Sequence, residues 1–327
     1  MMNHTLKNLF KVNPGTVIEG KWHGNRYTII RELGFGANGI VYLAQLGNKY
    51  VALKMSENGM NITSEVNVLK SFAKVQGDCL GPSLLDVDDW LQKGRMTSFY
   101  AMEYIQGPDL LTFIEQKGSS WIEVLILQLL SDLQQLHENG WVFGDLKPDN
   151  LIVTGPPPRV RCIDVGGTTI QGRAIKEFTE FFDRGYWGLG TRKAEVSYDL
   201  FAVAMIVINI AYPKRFSKTS GDYQQLELMV RQKNQLRKYE PVILRALKGK
   251  YGSAKEMRDS LLMLTMNEPD KKKPQSSFHA NNAGKKGTKL SRRTYVKRKK
   301  RWGVLETSFI VVVITFLYML YIYGQIQ

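Results

Sequence analysis

Cysteine is almost absent from this 327-residue sequence, which contains only Cys79 and Cys162. Two cysteines cannot build the disulfide framework of a small secreted domain, so that class is excluded and a reducing compartment is favoured. The first 25 residues contain no long apolar run, which argues against a signal peptide.

Acidic residues are absent from residues 271–302, although this segment holds thirteen of the 45 Lys and Arg residues. Residues 1–270 are nearly balanced, with 32 basic and 29 acidic side chains, so the net charge of +15 comes mostly from one segment. Elsewhere the composition is that of a folded protein, because hydrophobic residues make up 43% of the chain and aromatic residues 11%. The length allows one large two-lobed domain with appendages.

A glycine-rich loop follows a strand-like stretch that begins at Tyr27. It reads Gly34-Phe35-Gly36-Ala37-Asn38-Gly39-Ile40-Val41. Glycines let a backbone approach phosphate groups closely, and Val41 offers an apolar face to a purine ring. The same glycine spacing also opens dinucleotide-binding folds, but there a helix follows it. Here a second strand-like run follows, which favours a phosphate-covering loop between two strands.

A lysine and a glutamate come next along the chain. The strand-like run from Lys49 ends in Lys54, and Ala52 precedes that lysine by two positions. The helical stretch of residues 63–72 supplies Glu65 as the partner of an ion pair with Lys54. Taken alone, Glu65 is also an ordinary glutamate near a helix start. Because the interval between the two is short, the helix must begin almost directly after the strand.

The residues from Phe143 to Asn150 read Phe-Gly-Asp-Leu-Lys-Pro-Asp-Asn and have the spacing that phosphoryl transfer needs. Asp145 is predicted to orient a hydroxyl nucleophile, Lys147 to neutralise phosphate charge and Asn150 to bind a metal. A strand-turn-strand pattern then leads to Asp164, the second candidate metal ligand. An aspartate at a strand end is also a common turn residue.

Residues 98–104 are predicted to form a strand that enters the segment Met102-Glu103-Tyr104-Ile105 before a Gly-Pro turn. Backbone groups of such a segment can bind adenine, although any strand that leads into a turn has a similar pattern. Residues 80–97 are predicted to be rich in turns. The apolar spacing of residues 121–137 predicts a core helix, in which His137 makes a contact near the end of the helix.

Together these motifs resemble the Hanks-type protein kinases over about residues 27–265. More narrowly, they resemble tail-anchored bacterial serine/threonine kinases associated with sporulation. The resemblance implies an α+β bilobal fold with a small β-rich N-lobe at residues 27–105 and a larger helical C-lobe at residues 106–265. It also implies ATP and Mg²⁺ as cofactors, with Mn²⁺ as an alternative metal, and protein Ser/Thr side chains as substrates.

The implied roles fall into three groups. Asp145 and Lys147 are catalytic, and Asn150 and Asp164 bind the metal. The implied nucleotide-binding residues are Gly34, Phe35, Gly36, Ala37, Asn38, Gly39, Val41, Ala52, Lys54, Glu65, Met102, Glu103 and Ile105. A buried helix from Tyr198 is expected to place Asp199 where it bonds the backbone of the catalytic loop.

The sequence departs from the family pattern in three places. Gly144 replaces the usual Arg before the catalytic Asp, so the switch that binds an activation-loop phosphate is expected to be absent. Phe143 is larger and Val165 smaller than the usual residues, and the two changes are expected to conserve core volume. No Ala-Pro-Glu anchor is evident, since Ala194-Glu195 is a poor candidate for it.

Several threonines are candidates for roles in the activation segment. Gly190-Thr191 fits the part of that segment that faces the substrate in serine/threonine kinases. Thr168, Thr169 and Thr179 are candidate phosphorylation sites.

The two ends of the chain are interpreted as appendages of the kinase domain. Residues 1–26 form a lead-in, and residues 266–302 form a basic disordered linker. The mostly apolar residues 303–324 are long enough for a single transmembrane helix, followed by a short outer tail at residues 325–327. The basic block before the span predicts a cell-membrane protein with a cytoplasmic kinase domain and an outside C-terminus.

Residues 271–302 are also predicted to bind anionic lipid or DNA without sequence specificity, and in that way to regulate autophosphorylation. Self-association is a further expectation. Two alternatives to a protein kinase are a small-molecule kinase and a pseudokinase scaffold. Lys147-Pro148 argues against the first alternative, and the complete set of Lys54, Asp145, Asn150 and Asp164 argues against the second.

Overall fold

An antiparallel sheet forms the N-terminal lobe of the protein. The computed structural model describes residues 12–36, 39–76, 80–219 and 222–266, which belong to one compact unit that ends at Lys271. The strands of the sheet are β1 (Val17–Glu19), β2 (Arg26–Gly36), β3 (Gly39–Leu46), β4 (Lys49–Ser56), β5 (Leu84–Gln92) and β6 (Arg95–Glu103). They lie in the order β1-β2-β3-β4-β6-β5.

Successive side chains along each strand point to opposite faces of the sheet. One face packs into a hydrophobic core, and the other faces the cleft next to the helical lobe. Buried residues of the first face, such as Tyr27, Leu53 and Phe99, form a separate hydrophobic cluster. On the other face, Lys54 pairs in register with Tyr100, and Ala52 pairs with Met102. This register places a lysine and a tyrosine side by side, next to helix α1 (Gly59–Gln76).

Two strands of this sheet were not predicted from the sequence. β1 pairs with β2 through Ile18 and Tyr27, and Ile18 is fully buried, so one strand of the sheet comes before residue 27. β5 lies in the part of the chain predicted to be rich in turns, and it pairs with β6. Aspartates at Asp86, Asp88 and Asp89 mask its strand character in the sequence.

The C-terminal lobe is built mainly of helices. They are α2 (Leu110–Lys117), α3 (Trp121–Glu138), α4 (Val196–Ala211), α5 (Asp222–Gln232), α6 (Asn234–Arg237), α7 (Glu240–Leu247) and α8 (Ala254–Met266). Thirteen of the sixteen residues of α4 are buried, because this helix is apolar on all sides and passes through the centre of the lobe. The predicted α+β bilobal architecture is confirmed.

Two short strand pairs frame the segments that carry the motifs. β8 (Leu151–Thr154) pairs with β9 (Arg159–Cys162), and β7 (Trp141–Val142) pairs with β10 (Thr169–Ile170). The catalytic octet lies between β7 and β8, and Asp164 follows β9 by two residues. Because β8 and β9 are antiparallel, the octet before β8 and Asp164 after β9 lie at the same end of this strand pair.

The last described helix, α8, ends one residue beyond the predicted end of the C-lobe. In the part of the chain that the structure describes, no helix is long and apolar enough to cross a membrane. The predicted linker at residues 266–302, apart from Met266, and the predicted transmembrane helix at residues 303–324 lie outside the described residues, as do the lead-in residues 1–11.

Candidate active site

A cavity of about 390 Å³ lies between the sheet and the helical lobe. Of the predicted residues, the cavity is lined by Gly34, Phe35, Gly36, Gly39, Val41, Ala52, Lys54, Met102, Glu103, Ile105, Asn150 and Asp164. Ala37 and Asn38 lie outside the described residues. A more open cavity of about 880 Å³, between α1 and β5, contains none of the motif residues. The chemistry of the motif residues thus identifies the smaller cavity as the site.

The remaining predicted residues line a neighbouring cavity of about 590 Å³. Glu65, Asp145 and Lys147 lie there, together with Lys176 and Thr179 of the following segment. The structure therefore brings the predicted residues to two adjoining spaces, one lined by the glycine loop and Lys54 and one on the side of Asp145.

Lys54 and Glu65 form the predicted ion pair. Lys54 Nζ lies 2.7 Å from Glu65 Oε1 and 2.6 Å from Oε2, and both residues are buried. Tyr100 donates its hydroxyl to Glu65 Oε2 at 2.7 Å. Burial, reinforced by the charge of Glu65, raises the pKa of Tyr100 well above its ordinary value, so this phenol stays protonated as a donor.

The short interval between the two partners is explained by where α1 begins. β4 ends at Ser56 and α1 starts at Gly59, so the helix begins almost directly after the strand, as expected. Glu65 itself does not line the cavity of about 390 Å³. Its contact with that site is through Lys54.

One glycine of the loop is required by a close contact with the backbone, whereas two others have open space around them. Gly39 has a φ of +137°, and a Cβ there would lie 2.2 Å from the carbonyl oxygen of Met55. Only glycine fits such a position. A Cβ at Gly34 or Gly36 would meet nothing within 4 Å, so a steric contact does not explain the glycines at these two positions.

The catalytic loop is held by Asp199 of α4, as predicted. Its carboxylate accepts the backbone N–H of Phe143 at 2.7 Å and that of Gly144 at 2.9 Å. His137 Nε2 lies 2.8 Å from the same carboxylate. His137 was predicted to make a contact near its helix end, and its partner is this buried aspartate in the middle of the lobe.

Gly144 occupies its position for a steric reason. Its φ is +88°, and a Cβ there would lie 2.6 Å from the carbonyl oxygen of Gly167. An Arg before the catalytic Asp is therefore not merely missing but excluded by the backbone. Phe143 and Val165, expected to compensate in volume, are both buried in the main hydrophobic cluster.

Asp145, Lys147 and Thr179 form a hydrogen-bonded triangle. Lys147 Nζ lies 2.5 Å from Asp145 Oδ2, Thr179 donates its hydroxyl to Asp145 Oδ1 at 2.9 Å, and Lys147 donates to the Thr179 hydroxyl at 3.2 Å. Each oxygen of the catalytic carboxylate thus has a donor, which holds the carboxylate in one orientation.

The triangle does not include Gly190-Thr191, whose position facing the substrate stays a prediction. It is Thr179 that lies at the catalytic aspartate, whereas the carbonyl of Thr191 accepts a hydrogen bond from Arg184 at 2.7 Å. The sequence offers only a weak signal for Thr179, which is one of several threonines in the segment. Of the other candidate phosphorylation sites, Thr168 and Thr169 are buried in this conformation.

Asn150 and Asp164, the two predicted metal ligands, line the same cavity. Asn150 donates its amide nitrogen to the carbonyl of Asp145 at 3.1 Å, and this bond directs the amide oxygen away from that carbonyl. Asp164 accepts the N–H of Gly166 at 3.0 Å through one oxygen. Carboxylate and amide oxygens suit a hard cation such as Mg²⁺, so the donor set fits the implied metal.

The activation segment is anchored by a residue that sequence reasoning missed. Asp183 is buried and accepts hydrogen bonds from Arg192, from the Tyr198 hydroxyl and from the N–H groups of Gly185 and Tyr186, at 2.7–3.0 Å. Burial and the bond to Asp183 raise the pKa of Tyr198. Glu195, the poor anchor candidate, instead pairs with Arg184 at 3.0 Å.

A lysine connects the activation segment to α1. Lys176 Nζ donates to the Ser64 hydroxyl at 3.1 Å and to the carbonyl of Thr168 at 3.4 Å. Ser64 is the neighbour of Glu65, so the helix that carries the ion-pair partner is tethered without any phosphate group.

Comparisons with known proteins identify the family to which the chain is similar. The protein kinase domain family matches residues 27–277. The serine/threonine-protein kinase YabT of Bacillus subtilis is 51% identical over 98% of both chains. A probable serine/threonine-protein kinase of Clostridium perfringens is 30% identical over 41% of this chain and 20% of its own length.

A similar fold is found among solved structures. The kinase domain of Mycobacterium tuberculosis PknI, in a variant form, superposes with a TM-score of 0.55 at 18% identity. The match covers 78% of this chain and all of that one. At this identity the likeness concerns the fold alone.

Proposed function

This chain belongs to the protein kinase family, and on that premise we propose that it is a membrane-anchored serine/threonine kinase regulated through its basic segment. It transfers the γ-phosphoryl group of ATP to protein hydroxyl groups, including its own. The observation that carries the proposal is the Asp145–Lys147–Thr179 triangle next to a cavity lined by the glycine loop and Lys54. The relative that matches almost the whole chain is named a serine/threonine-protein kinase, which supports the same activity for this chain.

The nucleotide is assigned to the cavity of about 390 Å³. Val41, Ala52 and Met102 supply apolar surface for the adenine ring, and the backbone of residues 103–105 supplies its hydrogen-bonding edge. Lys54, held by Glu65, faces the phosphates as a buried cation whose position is fixed.

The reacting hydroxyl is assigned to the Asp145 side of the cleft. Asp145 accepts a hydrogen bond from the substrate Ser or Thr hydroxyl, orients its oxygen toward the phosphorus atom and receives its proton. Lys147 places its positive charge beside the transferring group, where negative charge spreads over the phosphoryl oxygens. Thr179 holds the carboxylate in the orientation that this step needs.

Asn150 and Asp164 would hold Mg²⁺, which when bound neutralises charge on the phosphate oxygens. Their own hydrogen bonds to the Asp145 carbonyl and the Gly166 N–H fix the two ligand side chains before any metal arrives. Mn²⁺ has the same preference for oxygen ligands.

Anchoring is assigned to residues 303–324, whose length and apolar character suit a single membrane span. The basic residues before it favour a cytoplasmic kinase domain and an outside C-terminus. These features support a tail-anchored protein, and the sequence likeness to the serine/threonine-protein kinase YabT supports its identity as a kinase.

Regulation is assigned to residues 271–302, which carry thirteen cationic side chains and no anionic ones. DNA is the ligand that we favour, because so many cations release many counterions from a phosphate backbone without reading sequence. Several kinases on one DNA molecule would come close enough to phosphorylate one another. Gly144 supports this proposal, since a loop that cannot accept an Arg needs control from elsewhere.

Catalysis is tested by transfer of labelled phosphate from ATP to a generic protein substrate. The wild-type chain is expected to label it, while Lys54→Ala and Asp145→Ala each lower kcat/KM by roughly 100-fold or more. Equal labelling by the wild-type and Asp145→Ala chains would contradict the assigned site.

Regulation is tested with a chain that ends at residue 302. Autophosphorylation is measured at low salt with double-stranded DNA, with vesicles of anionic lipid, and with neither. Stimulation by DNA supports the proposal, stimulation by vesicles alone replaces DNA with lipid, and no stimulation by either excludes a regulatory role for the segment. A matched chain that ends at residue 270 lacks the segment and should respond to neither.

A further inference from the structure

Arg161 of β9 makes three charge-assisted hydrogen bonds at the back of the nucleotide site. Its Nη1 donates to Glu103 Oε1 at 2.5 Å, and its Nη2 donates to Glu103 Oε2 at 2.9 Å and to the carbonyl of Gly81 at 2.5 Å. The Arg161 side chain is only 13% exposed. Neither the sequence motifs nor the family resemblance gave this arginine a role.

The partners of Arg161 belong to different parts of the catalytic machinery. Glu103 lies in the segment assigned to adenine and lines the cavity. Gly81 lies in the segment between α1, which carries Glu65, and β5. Arg161 itself is three residues before the metal ligand Asp164. The guanidinium of Arg161 thus bonds to the segment assigned to adenine and to the segment that follows the ion-pair helix. Its own strand leads to the metal-binding turn.

Backbone hydrogen bonds make these connections short. The N–H of Glu103 donates to the carbonyl of Ser83 at 2.9 Å, and the N–H of Ser83 donates to the Glu103 carboxylate at 3.2 Å. On the other side, the N–H of Cys162 donates to the carbonyl of Leu80 at 2.7 Å. Residues 80–83 are therefore bound both to the adenine segment and to β9.

Residues 80–83 are also closely packed at Gly81. A Cβ on Gly81 would lie 3.0 Å from the ring of Phe72 on α1 and 3.5 Å from Val165 of the metal-binding turn. Since Phe72 and Val165 approach this glycine so closely, a shift of residues 80–83 would press on both elements.

The geometry favours arginine over any other residue at position 161. A planar guanidinium can bind both oxygens of one carboxylate and still reach a second acceptor, whereas a lysine cannot do this with fixed geometry. Burial of Glu103 opposes its charge, but the bonds to Arg161 and Ser83 outweigh this and lower the pKa of Glu103 below its ordinary value. The pair is therefore ionised at neutral pH.

We propose that Arg161 is a positioning residue that fixes the adenine-binding segment relative to Asp164, so that a nucleotide seated by its base presents its phosphates at the metal ligands and Lys54. The proposal rests on the nucleotide site assigned under Proposed function. Arg161 is not among the described residues that line the cavity, so it acts through its partners Glu103 and Gly81.

The first test compares Arg161→Gln with Arg159→Gln in the full-length chain. Arg159 lies on the same strand but is exposed, so it serves as the matched control. For Arg161→Gln, we expect KM for ATP to rise roughly tenfold, while KM for the protein substrate stays within about twofold of wild type. A merely structural role would lower the amount of active enzyme and leave both KM values unchanged.

The second test separates alignment from adenine binding. Inhibition constants are measured for adenosine, which carries only the base and ribose, and for ADP with Mg²⁺. The Arg161→Gln variant should lose affinity for ADP but retain most of its affinity for adenosine. Equal losses for the two inhibitors, or no loss for either, would overturn the proposal.

Two further variants show whether Glu103 transmits the effect. Arg161→Lys keeps the charge but not the fork, and it should show most of the rise in KM for ATP while retaining the fold. The double variant Arg161→Gln/Glu103→Gln should bind ADP no more weakly than Arg161→Gln alone. Additive losses would place the action of Arg161 outside this pair.

If the wild-type chain binds ADP but labels no protein, the proposed function fails, while the inhibitor comparison still decides the role of Arg161.

Discussion

Two buried carboxylates hold the two segments that meet at Asp145, and they rely on different donors. Asp199 fixes the catalytic loop through two backbone N–H groups and His137, all of them buried. Asp183 fixes the activation segment through two backbone N–H groups, Tyr198 and Arg192. The side chain of Arg192 is 44% exposed, so one donor to Asp183 comes from the surface.

This difference shows which half of the site is permanent and which half can be adjusted. A carboxylate satisfied only by buried donors can lose none of them without leaving polar groups unpaired in the core. A carboxylate that also depends on a surface arginine responds to salt, to bound anions and to neighbouring charge. The catalytic loop should therefore keep its shape under all conditions in which the protein is folded, while the activation segment can be tuned.

The largest effect is expected when the permanent half is broken. Asp199→Asn replaces one acceptor oxygen with an N–H₂ group that faces backbone donors, so we expect the free energy of unfolding to fall by about 2–3 kcal/mol. Because Asp145 follows the disturbed backbone directly, kcat should fall by roughly 100-fold. Urea unfolding and steady-state kinetics measure the two quantities.

Asp149→Asn is the matched control for that change. Asp149 lies in the same octet, but its side chain is 62% exposed in its contact with Arg215. Exposed ion pairs contribute little, so this variant should resemble wild type in both measurements. A large loss for Asp149→Asn, or none for Asp199→Asn, would refute the distinction between buried and exposed carboxylates in this loop.

An intermediate effect is expected at Thr179, where the two halves meet. Thr179→Val keeps the shape of the side chain but removes the donor to Asp145, so we expect kcat to fall roughly tenfold with KM for ATP unchanged. Thr179→Ser keeps the hydroxyl and should retain most of the activity. If the serine variant is as slow as the valine variant, the hydroxyl is not what positions Asp145.

The smallest effect is expected at the exposed donor of the adjustable half. Arg192→Gln removes the positive charge of the exposed side chain that pairs with Asp183. It also removes the contact of the guanidinium with the ring of Phe178 at 4.0 Å. We expect kcat to fall only roughly twofold to threefold, because the remaining donors to Asp183 stay in place. Activity measured from low to high salt should change less in this variant than in wild type.

Lys193→Gln is the control for charge alone. Lys193 is the exposed neighbour of Arg192 and pairs with Glu195 rather than with Asp183. It should retain the salt dependence of wild type. A loss at Arg192→Gln as large as that at Asp199→Asn would show that the two carboxylates hold their segments in the same way.

The sequence predicted those parts of the site whose chemistry is local. Asp145, Lys147 and Asn150 occur within six residues, so their spacing alone indicated phosphoryl transfer. Lys54 and Glu65 were paired correctly because a strand followed at once by a helix leaves few alternatives. The bilobal fold followed from the order of these motifs, since each belongs to a known element of that fold.

The parts that the sequence did not predict depend on contacts between distant residues. Thr179 reaches Asp145 across 34 positions, and Arg161 reaches Glu103 across 58. Asp183 accepts from Arg192 and Tyr198 only because the activation segment folds back on itself. β5 was missed for a related reason, because its aspartates are satisfied by the distant turn near Trp22 and His23. No local pattern marks such partners.

The positive φ of Gly144 has a consequence for protein engineering. A switch that depends on a phosphorylated activation loop cannot be installed in this kinase by one substitution, since a Cβ at residue 144 would lie 2.6 Å from the carbonyl oxygen of Gly167. A Cβ at Gly167 would in turn lie 3.0 Å from the Cβ of Asp145, so the catalytic loop and the segment after Asp164 approach each other through glycine. A designer who wants phosphate control must rebuild both segments together, or place the control on surfaces outside them.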